Sequence, residues 1–294
     1  MNTNHRPSIA FLGLGAMGQR MCAHLCRAGY NVIIWNRSAH EDRIEPLVAL
    51  GAQFADSPSL AVAHADVVLS MLRDDEASRT VWLDPQHGAL AAMPTHAAAV
   101  ECSTLSVAWV EFLAAAMIAR GVAFVAAPVV GSRPQAEAAQ LLFLAGGSDE
   151  VIDSLEPVLL HMGKQVLHVG SASTSAATKL LINTLFAGQV ALIAELLGMA
   201  QSMQLDKSVA LAAMGATPVL SPAANGAAQA MLAQQFAPMF PVELVRKDMD
   251  YLLQSAASPT TQLPMTQSLS KILQRAAEQG WAEQNLTVMA QLYC

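Results

Sequence analysis

Residues 9–38 read IAFLGLGAMGQRMCAHLCRAGYNVIIWNRS. Gly13, Gly15 and Gly18 stand at G-x-G-x-x-G spacing, after an apolar β-rich run (SIAFLG, 8–13) and at the head of a helical stretch, 16–28. A second β-rich run, NVIIWN at 31–36, follows. Strand, glycine turn, helix and strand within about 30 residues form the context in which this spacing binds a dinucleotide. The first glycine permits the tight turn, the second lets backbone approach a pyrophosphate, and the third lets helix and strand pack closely. The helix N-terminus then receives the anion. Gly13, Leu14, Gly15, Ala16, Met17 and Gly18 are the expected cofactor cradle.

Working outward, β-rich runs recur at 66–72, 97–103, 122–128 and 141–147, and helical patterns fall at 76–82, 106–120 and 149–161. Most runs are continuously apolar, as strands covered on both faces are. The alternation predicts a doubly wound, mostly parallel α/β domain over residues 1–169, closed by a last short strand at 164–170. After Gly170 nothing reads as a strand. One helix of about 30 residues is expected there, capped by Ser171, Ser173 or Thr174, with further helices at 206–214, 222–234, 242–257, 264–279 and 285–293. Prolines, Pro259 among them, punctuate these helices. Residues 170–294 are thus an all-α domain built on one long helix, buried on several sides and forming part of a subunit interface.

The chain has 294 residues, is 53% hydrophobic and only 13% charged, and carries a net charge of −7. An acidic chain without a basic stripe is a poor nucleic-acid partner. Cys22, Cys26, Cys102 and Cys294 include no CxxC pair. Cys22 and Cys26, four apart on a helix, read as packing rather than a metal site, so no metal is expected. A reducing, cytoplasmic setting fits this cysteine usage, and MNTNHRPS has no apolar core of a signal peptide. The apolar stretch 180–200 is broken by Asn183, Thr184, Gln189 and Glu195, which favours a buried helix over a membrane span.

Two places carry chemistry. The second strand ends in Asn36, Arg37 and Ser38, where an NAD site usually has a carboxylate for the ribose 2′-hydroxyl. Nothing here repels a 2′-phosphate, and Arg37 offers a planar, permanently charged fork, so NADP(H) is expected over NAD(H). The alternative is a solvated arginine. From Gln165 to Leu205 the only Lys, Arg, Asp or Glu residues are Lys179 and Glu195. Lys179 is either a working amine in a pocket or a lysine snorkelling to solvent from a helix start. Asn183, four residues on, shares its helix face.

Five ordered motifs agree with one family. GLGAMGQRM resembles the nucleotide signature of the β-hydroxyacid dehydrogenases, which include 3-hydroxyisobutyrate dehydrogenase, tartronate semialdehyde reductase and the glyoxylate/succinic semialdehyde reductases. ECSTLS (101–106) resembles the D-x-S-T segment of these enzymes, and AAPVVGS (126–132) is similar to D-A-P-V-S-G-G. GSASTSAATKLLIN resembles the stretch bearing the catalytic lysine, and FPVELVRKDMDYL (240–252) fits F-x-x-x-L-x-x-K-D. The resemblance covers essentially the whole chain. It implies hydride transfer between nicotinamide and a small carbonyl or hydroxy acid, at a site between the two domains, in a homodimer or homotetramer assembled through the long helix. Lys179 is implied as general acid in reduction and base in oxidation, its pKa lowered by desolvation, with Asn183 orienting the amine or the substrate oxygen. Ser103, Gly131 and Ser132 would face the substrate; Thr104, Met71, Leu72 and Lys247 would face the cofactor. Plainer readings stand beside these: Ser103 and Thr104 as a helix cap, Met71 and Leu72 as core, Lys247 and Asp248 as a solvated pair.

The substrate segment departs from the family pattern. Ala126, Val130 and Ser132 replace its Asp, Ser and second Gly, and RPQAEAAQLL lacks G-A-x-x-G-T-L. Arg133 is either a carboxylate clamp or a surface residue. Imine reductases share the architecture but usually carry Asp or Tyr where Lys179 stands. The 6-phosphogluconate dehydrogenases are longer and have His where Ile182 stands. A non-catalytic NADP(H)-binding scaffold is the reading from another class, and Lys179 counts against it.

Overall fold

The computed structural model describes residues 6–38, 40–256 and 262–293; Cys294, Pro259 and residue 257 of the expected 242–257 helix lie outside them. Contacts divide the chain into two compact units, Met1–Lys179 and Leu180–Cys294.

The first unit runs β1 (Ile9–Leu12), α1 (Gly18–Arg27), β2 (Val32–Trp35), α2 (Glu41–Val48), β3 (Gln53–Phe54), α3 (Pro58–Val62), β4 (Val67–Ser70), α4 (Asp75–Leu83), α5 (Ala89–Ala92), β5 (Ala98–Glu101), α6 (Val107–Ala119) and β6 (Ala123–Ala126). These six strands form one parallel sheet in the order β3-β2-β1-β4-β5-β6. Side chains alternate faces along a strand. Ile9 and Phe11 of β1 accordingly pack with Met21, Cys22 and Leu25 of α1, while Ala10 and Leu12 pack with Ala61, Val62 and Trp82. Both faces are covered, which is why the strand sequences show no polar alternation. The order reverses between β1 and β4, and ligands of such sheets bind beyond the carboxyl ends at that switch point.

The expected doubly wound domain is present, with one difference. The strands near 141–147 and 164–170 leave the main sheet. The chain exits β6 through Pro128, which brings no N–H to a ladder. β7 (Val129–Val130) then pairs antiparallel with β8 (Leu141–Ala145), and β8 pairs parallel with β9 (Gly163–His168) as a separate three-stranded sheet. α7 (Arg133–Glu137) and α8 (Asp149–Leu159) connect them. The elements α2, β3, α3, α5, β7 and α7 are two to eight residues long and carry too few periods to stand out in sequence.

α9 (Ala172–Ser202) is the expected long helix, 31 residues, with Thr174 N–H donating to Ser171 Oγ at 3.2 Å, so Ser171 is the cap. Its first turns belong to the first unit, where buried Ser175 donates to the Leu144 carbonyl at 2.6 Å. Beyond Lys179, Ala187, Val190, Ile193, Ala194 and Leu197 enter the core of the helical unit. Leu181, Leu185, Leu192, Leu196 and Met199 are exposed, so α9 is not buried on every side as its all-round apolarity suggests. Length and composition alone would let α9 cross a membrane, but its other face serves as a protein core. α10 (Lys207–Gly215), α11 (Pro222–Leu232), α12 (Val242–Ser255) and α13 (Pro264–Ala276) complete the helical unit. The last expected helix is a 3-10 helix, Leu286–Tyr293, reached through a wide turn in which Gly280 takes φ +82°.

Candidate functional site

The glycine turn is built by close approach. Gly13 sits at φ +99°, and a Cβ there would run into the Met71 carbonyl; a Cβ at Gly18 would run into the Gly13 carbonyl. By contrast nothing stands within 4 Å of a Cβ at Gly15, so the backbone is open to a ligand at the one glycine whose role is to let a pyrophosphate approach. Gly13 N–H donates to the Trp35 carbonyl and Met71 N–H to the Leu12 carbonyl, both at 2.9 Å, joining the turn to the ends of β2 and β4. Leu14 is buried, while Ala16 and Met17 remain partly exposed at the head of α1. Asn36 braces this turn: its Oδ1 accepts from Leu14 N–H at 2.9 Å and its Nδ2 donates to the Ser38 carbonyl at 2.8 Å. The next residue, Arg37, is exposed. The cradle therefore fits a dinucleotide, with Asn36 shaping the turn and Arg37 at its rim.

The edge beyond β4 and β5 is fixed by a buried carboxylate. Glu101 is 1% exposed, and its Oε2 accepts from Ser78 Oγ and Trp82 Nε1, each at 2.9 Å. Its Oε1 accepts from Ser103 Oγ at 2.5 Å and Ser103 N–H at 3.1 Å. Ser103 Oγ in turn accepts from Leu72 N–H at 2.6 Å. Expected at the substrate, Ser103 is buried and has committed its one proton to Glu101, tying the Met71–Leu72 edge to β5. Neither Ser103 nor Thr104 caps α6. Ser106 does, with Oγ accepting from Trp109 N–H at 3.1 Å, and Asp75 Oδ2 accepts from Ser106 Oγ at 2.6 Å.

Gly131, at φ +131°, and Ser132 lie between β7 and α7. Ser132 caps α7, and its N–H donates to Gln135 Oε1 at 2.9 Å. α7 lies against α1: His24 Nε2 is 2.9 Å from the Ala136 carbonyl, and Arg20 Nε is 3.2 Å from Glu137 Oε2.

On α9, Lys179 is 6% exposed and Asn183 7%. Asn183 Nδ2 donates to Oδ2 of Asp248 at 2.7 Å. Asp248, 1% exposed on α12, also takes Lys247 Nζ at 2.8 Å from Oδ1, and that ammonium lies 4.6 Å from the Tyr251 ring centre. The pair is therefore not a solvated one. Asp248 is the residue that sequence reasoning passed over as Lys247's neighbour. This bond fixes the orientation of the Asn183 amide. Phe240 is held in this unit by Asn285, whose Oδ1 accepts from Phe240 N–H at 2.9 Å.

Two family models match the chain. The NAD-binding domain of 6-phosphogluconate dehydrogenase matches residues 8–170, more than half of it, and the NAD-binding domain of NADP-dependent 3-hydroxyisobutyrate dehydrogenase matches 173–293. Glyoxylate/succinic semialdehyde reductase 2 of Arabidopsis thaliana is 29% identical over 96% of this chain and 78% of its own length. The NAD-dependent L-serine dehydrogenase of Pseudomonas aeruginosa is 29% identical over 97% of both. Among solved structures, Mycobacterium tuberculosis 3-hydroxyisobutyrate dehydrogenase with L-serine superposes with a TM-score of 0.88 at 27% identity, covering 98% of this chain and 99% of that one.

Burial raises the Glu101 carboxyl above its ordinary range, against the lowering effect of bonds from Ser103 and Trp82. The folded chain then holds a proton that the unfolded chain has released, so this group's stabilisation is complete below the ordinary glutamate value and is lost as pH rises through the folded value. Urea unfolding between about pH 5 and about pH 8 should show a smaller loss of stability with rising pH in Glu101→Gln than in the parent. An identical slope in the two would assign the pH dependence to other groups.

Proposed function

This chain is an NAD(P)-dependent hydroxyacid dehydrogenase of the β-hydroxyacid dehydrogenase family, and we propose that it is an NADPH-dependent reductase of a small semialdehyde or other carbonyl acid. When bound, the nicotinamide supplies the hydride. Everything else falls to the chain's own residues. Lys179 Nζ gives a proton to the developing alkoxide in reduction and recovers it in oxidation. Asn183, one turn on, is braced by Asp248 and offers its carbonyl oxygen to keep the amine in line. The observation that carries this reading is the burial of Lys179, 6% exposed in a stretch otherwise free of basic residues. A lysine has no packing reason to be there.

The preference for NADPH rests on Arg37 beside a strand end without a carboxylate. Assembly as a homodimer or homotetramer rests on the exposed apolar side chains of α9, which repeat in steps of three, four and seven from Leu181 to Met199.

Lys179→Ala should lower kcat by about 10²–10⁴-fold while NADPH, followed by fluorescence titration, binds as before. Undiminished kcat would remove Lys179 from the proton transfer. Arg37→Ala should weaken NADPH by roughly 10- to 100-fold, the worth of one charge-assisted phosphate contact, and leave NADH unchanged; an equal effect on both would place Arg37 away from the 2′-phosphate. By light scattering the parent should have at least twice the 31.0 kDa chain mass. Leu185→Glu should shift it toward 31.0 kDa, and a monomeric parent would end the proposal of assembly through α9.

A further inference from the structure

In the segment 126–133 the groups able to hold a substrate carboxylate are few. Ala126, Ala127, Val129 and Val130 are apolar, and Gly131 has no side chain. The Ser132 N–H is already taken by Gln135 Oε1. A Cβ at Gly131 would meet Gln135 Cβ at 3.0 Å, so the Gln135 side chain fills the space beneath the turn. The Ser132 backbone donor is thus closed by its own chain.

Arg133 is the charged side chain that follows. Among the described residues its buried Nε has no hydrogen-bond partner and its guanidinium has no carboxylate within ion-pair distance. Burial and then the charge of Arg20 depress its pKa, which marks a cation without local compensation. Arg20 is satisfied differently, with Nη1 donating to the Ala16 carbonyl at 2.6 Å and Nε facing Glu137 Oε2 at 3.2 Å. The cluster of Arg20, Glu137 and Arg133 therefore has one positive charge to spare, beside Gly131 and on the flank of the glycine turn. A planar fork with free donors matches a carboxylate in two parallel bonds.

We infer that Arg133 anchors the carboxylate of the substrate, replacing the backbone amide that Gln135 occupies. The inference rests on the hydroxyacid dehydrogenase reading for what the acid is, but binding tests it without turnover. The specificity that follows is for small acids over their uncharged analogues. Val130, partly exposed on the same segment, is apolar and offers the rest of the acid no hydrogen bond.

The experiment titrates the protein calorimetrically with glyoxylate and succinic semialdehyde in its NADP⁺-loaded form and with L-serine and 3-hydroxyisobutyrate in its NADPH-loaded form, pairings that cannot turn over, and then with the methyl ester of the tightest binder. Arg133→Gln should weaken that acid by about 10- to 100-fold, leave the ester within about twofold, and leave NADP⁺ affinity unchanged. Arg133→Lys should recover part of the loss, since a lysine supplies the charge without the fork. Equal affinity of Arg133→Gln and parent for the acid overturns the assignment. So does an equal loss for acid and ester, a loss confined to NADP⁺, or an absence of binding by any acid of the panel. Binding of the acid through Arg133 without NADPH oxidation by its aldehyde would instead defeat the dehydrogenase reading and leave the anchor standing.

Discussion

A side chain at position 13 or 18 has nowhere to go. The Gly13 carbonyl occupies the place of a Gly18 Cβ, and the Met71 carbonyl occupies the place of a Gly13 Cβ. Three backbones, at the end of β1, the start of α1 and the end of β4, thus meet at the switch point with no side-chain layer between them. Inserting even one methyl group into such a contact forces backbone shifts costing about 1–3 kcal/mol. The same approach that excludes side chains at 13 and 18 leaves Gly15 facing open space, and a cofactor backbone needs just that combination: a rigid turn and an open donor surface. The other polar features at this edge brace it. Asn36 ties the turn to β2, and the Glu101–Ser103–Leu72 chain ties β4 to β5.

Glu101 shows how a buried charge is made tolerable. An isolated carboxylate in an apolar interior is strongly disfavoured, and burial duly raises its pKa. Four donors from Ser78, Trp82 and Ser103 surround it, so both oxygens are satisfied. Trp109 Nε1 extends the network by donating to Ser78 Oγ at 2.9 Å. A network filled this completely defines one arrangement of α4, β5 and α6, because removing any member strands another polar group out of water. Its effect at the site is indirect: it sets where the Leu72 amide and the Ser103 backbone stand.

The main architecture is legible because its signals are long or repeated. Continuous apolar strands, the glycine spacing and a 31-residue apolar helix each repeat one physical requirement many times. What was missed depends on single pairings. The short α7 has five residues and is defined by the reciprocal Ser132–Gln135 cap, which also changes what the segment can bind. The resemblance gives Ser103 a place at the substrate, but the direction of its proton depends on Glu101 two residues earlier, and spacing cannot give that. Asp248 carries no role of its own in the sequence because its partner Asn183 lies 65 residues away.

In a chain with 13% charged residues, each buried charge must be matched or used. Glu101 is matched by neutral donors, and Asp248 by Lys247 and the Asn183 amide. Arg20, only partly buried, is matched by the exposed Glu137. These three are constraints on shape, since their hydrogen-bonding capacity is consumed within the fold. Arg133 stands on the other side of the division, with a buried donor that the described chain leaves unanswered. An unanswered buried donor lowers stability unless something else answers it. Lys179 apart, the groups left open to a ligand include the Gly15 backbone, the rim at Arg37 and the guanidinium of Arg133. The first two suit a dinucleotide. The third lies on a different segment and is offered to a separate, smaller anion.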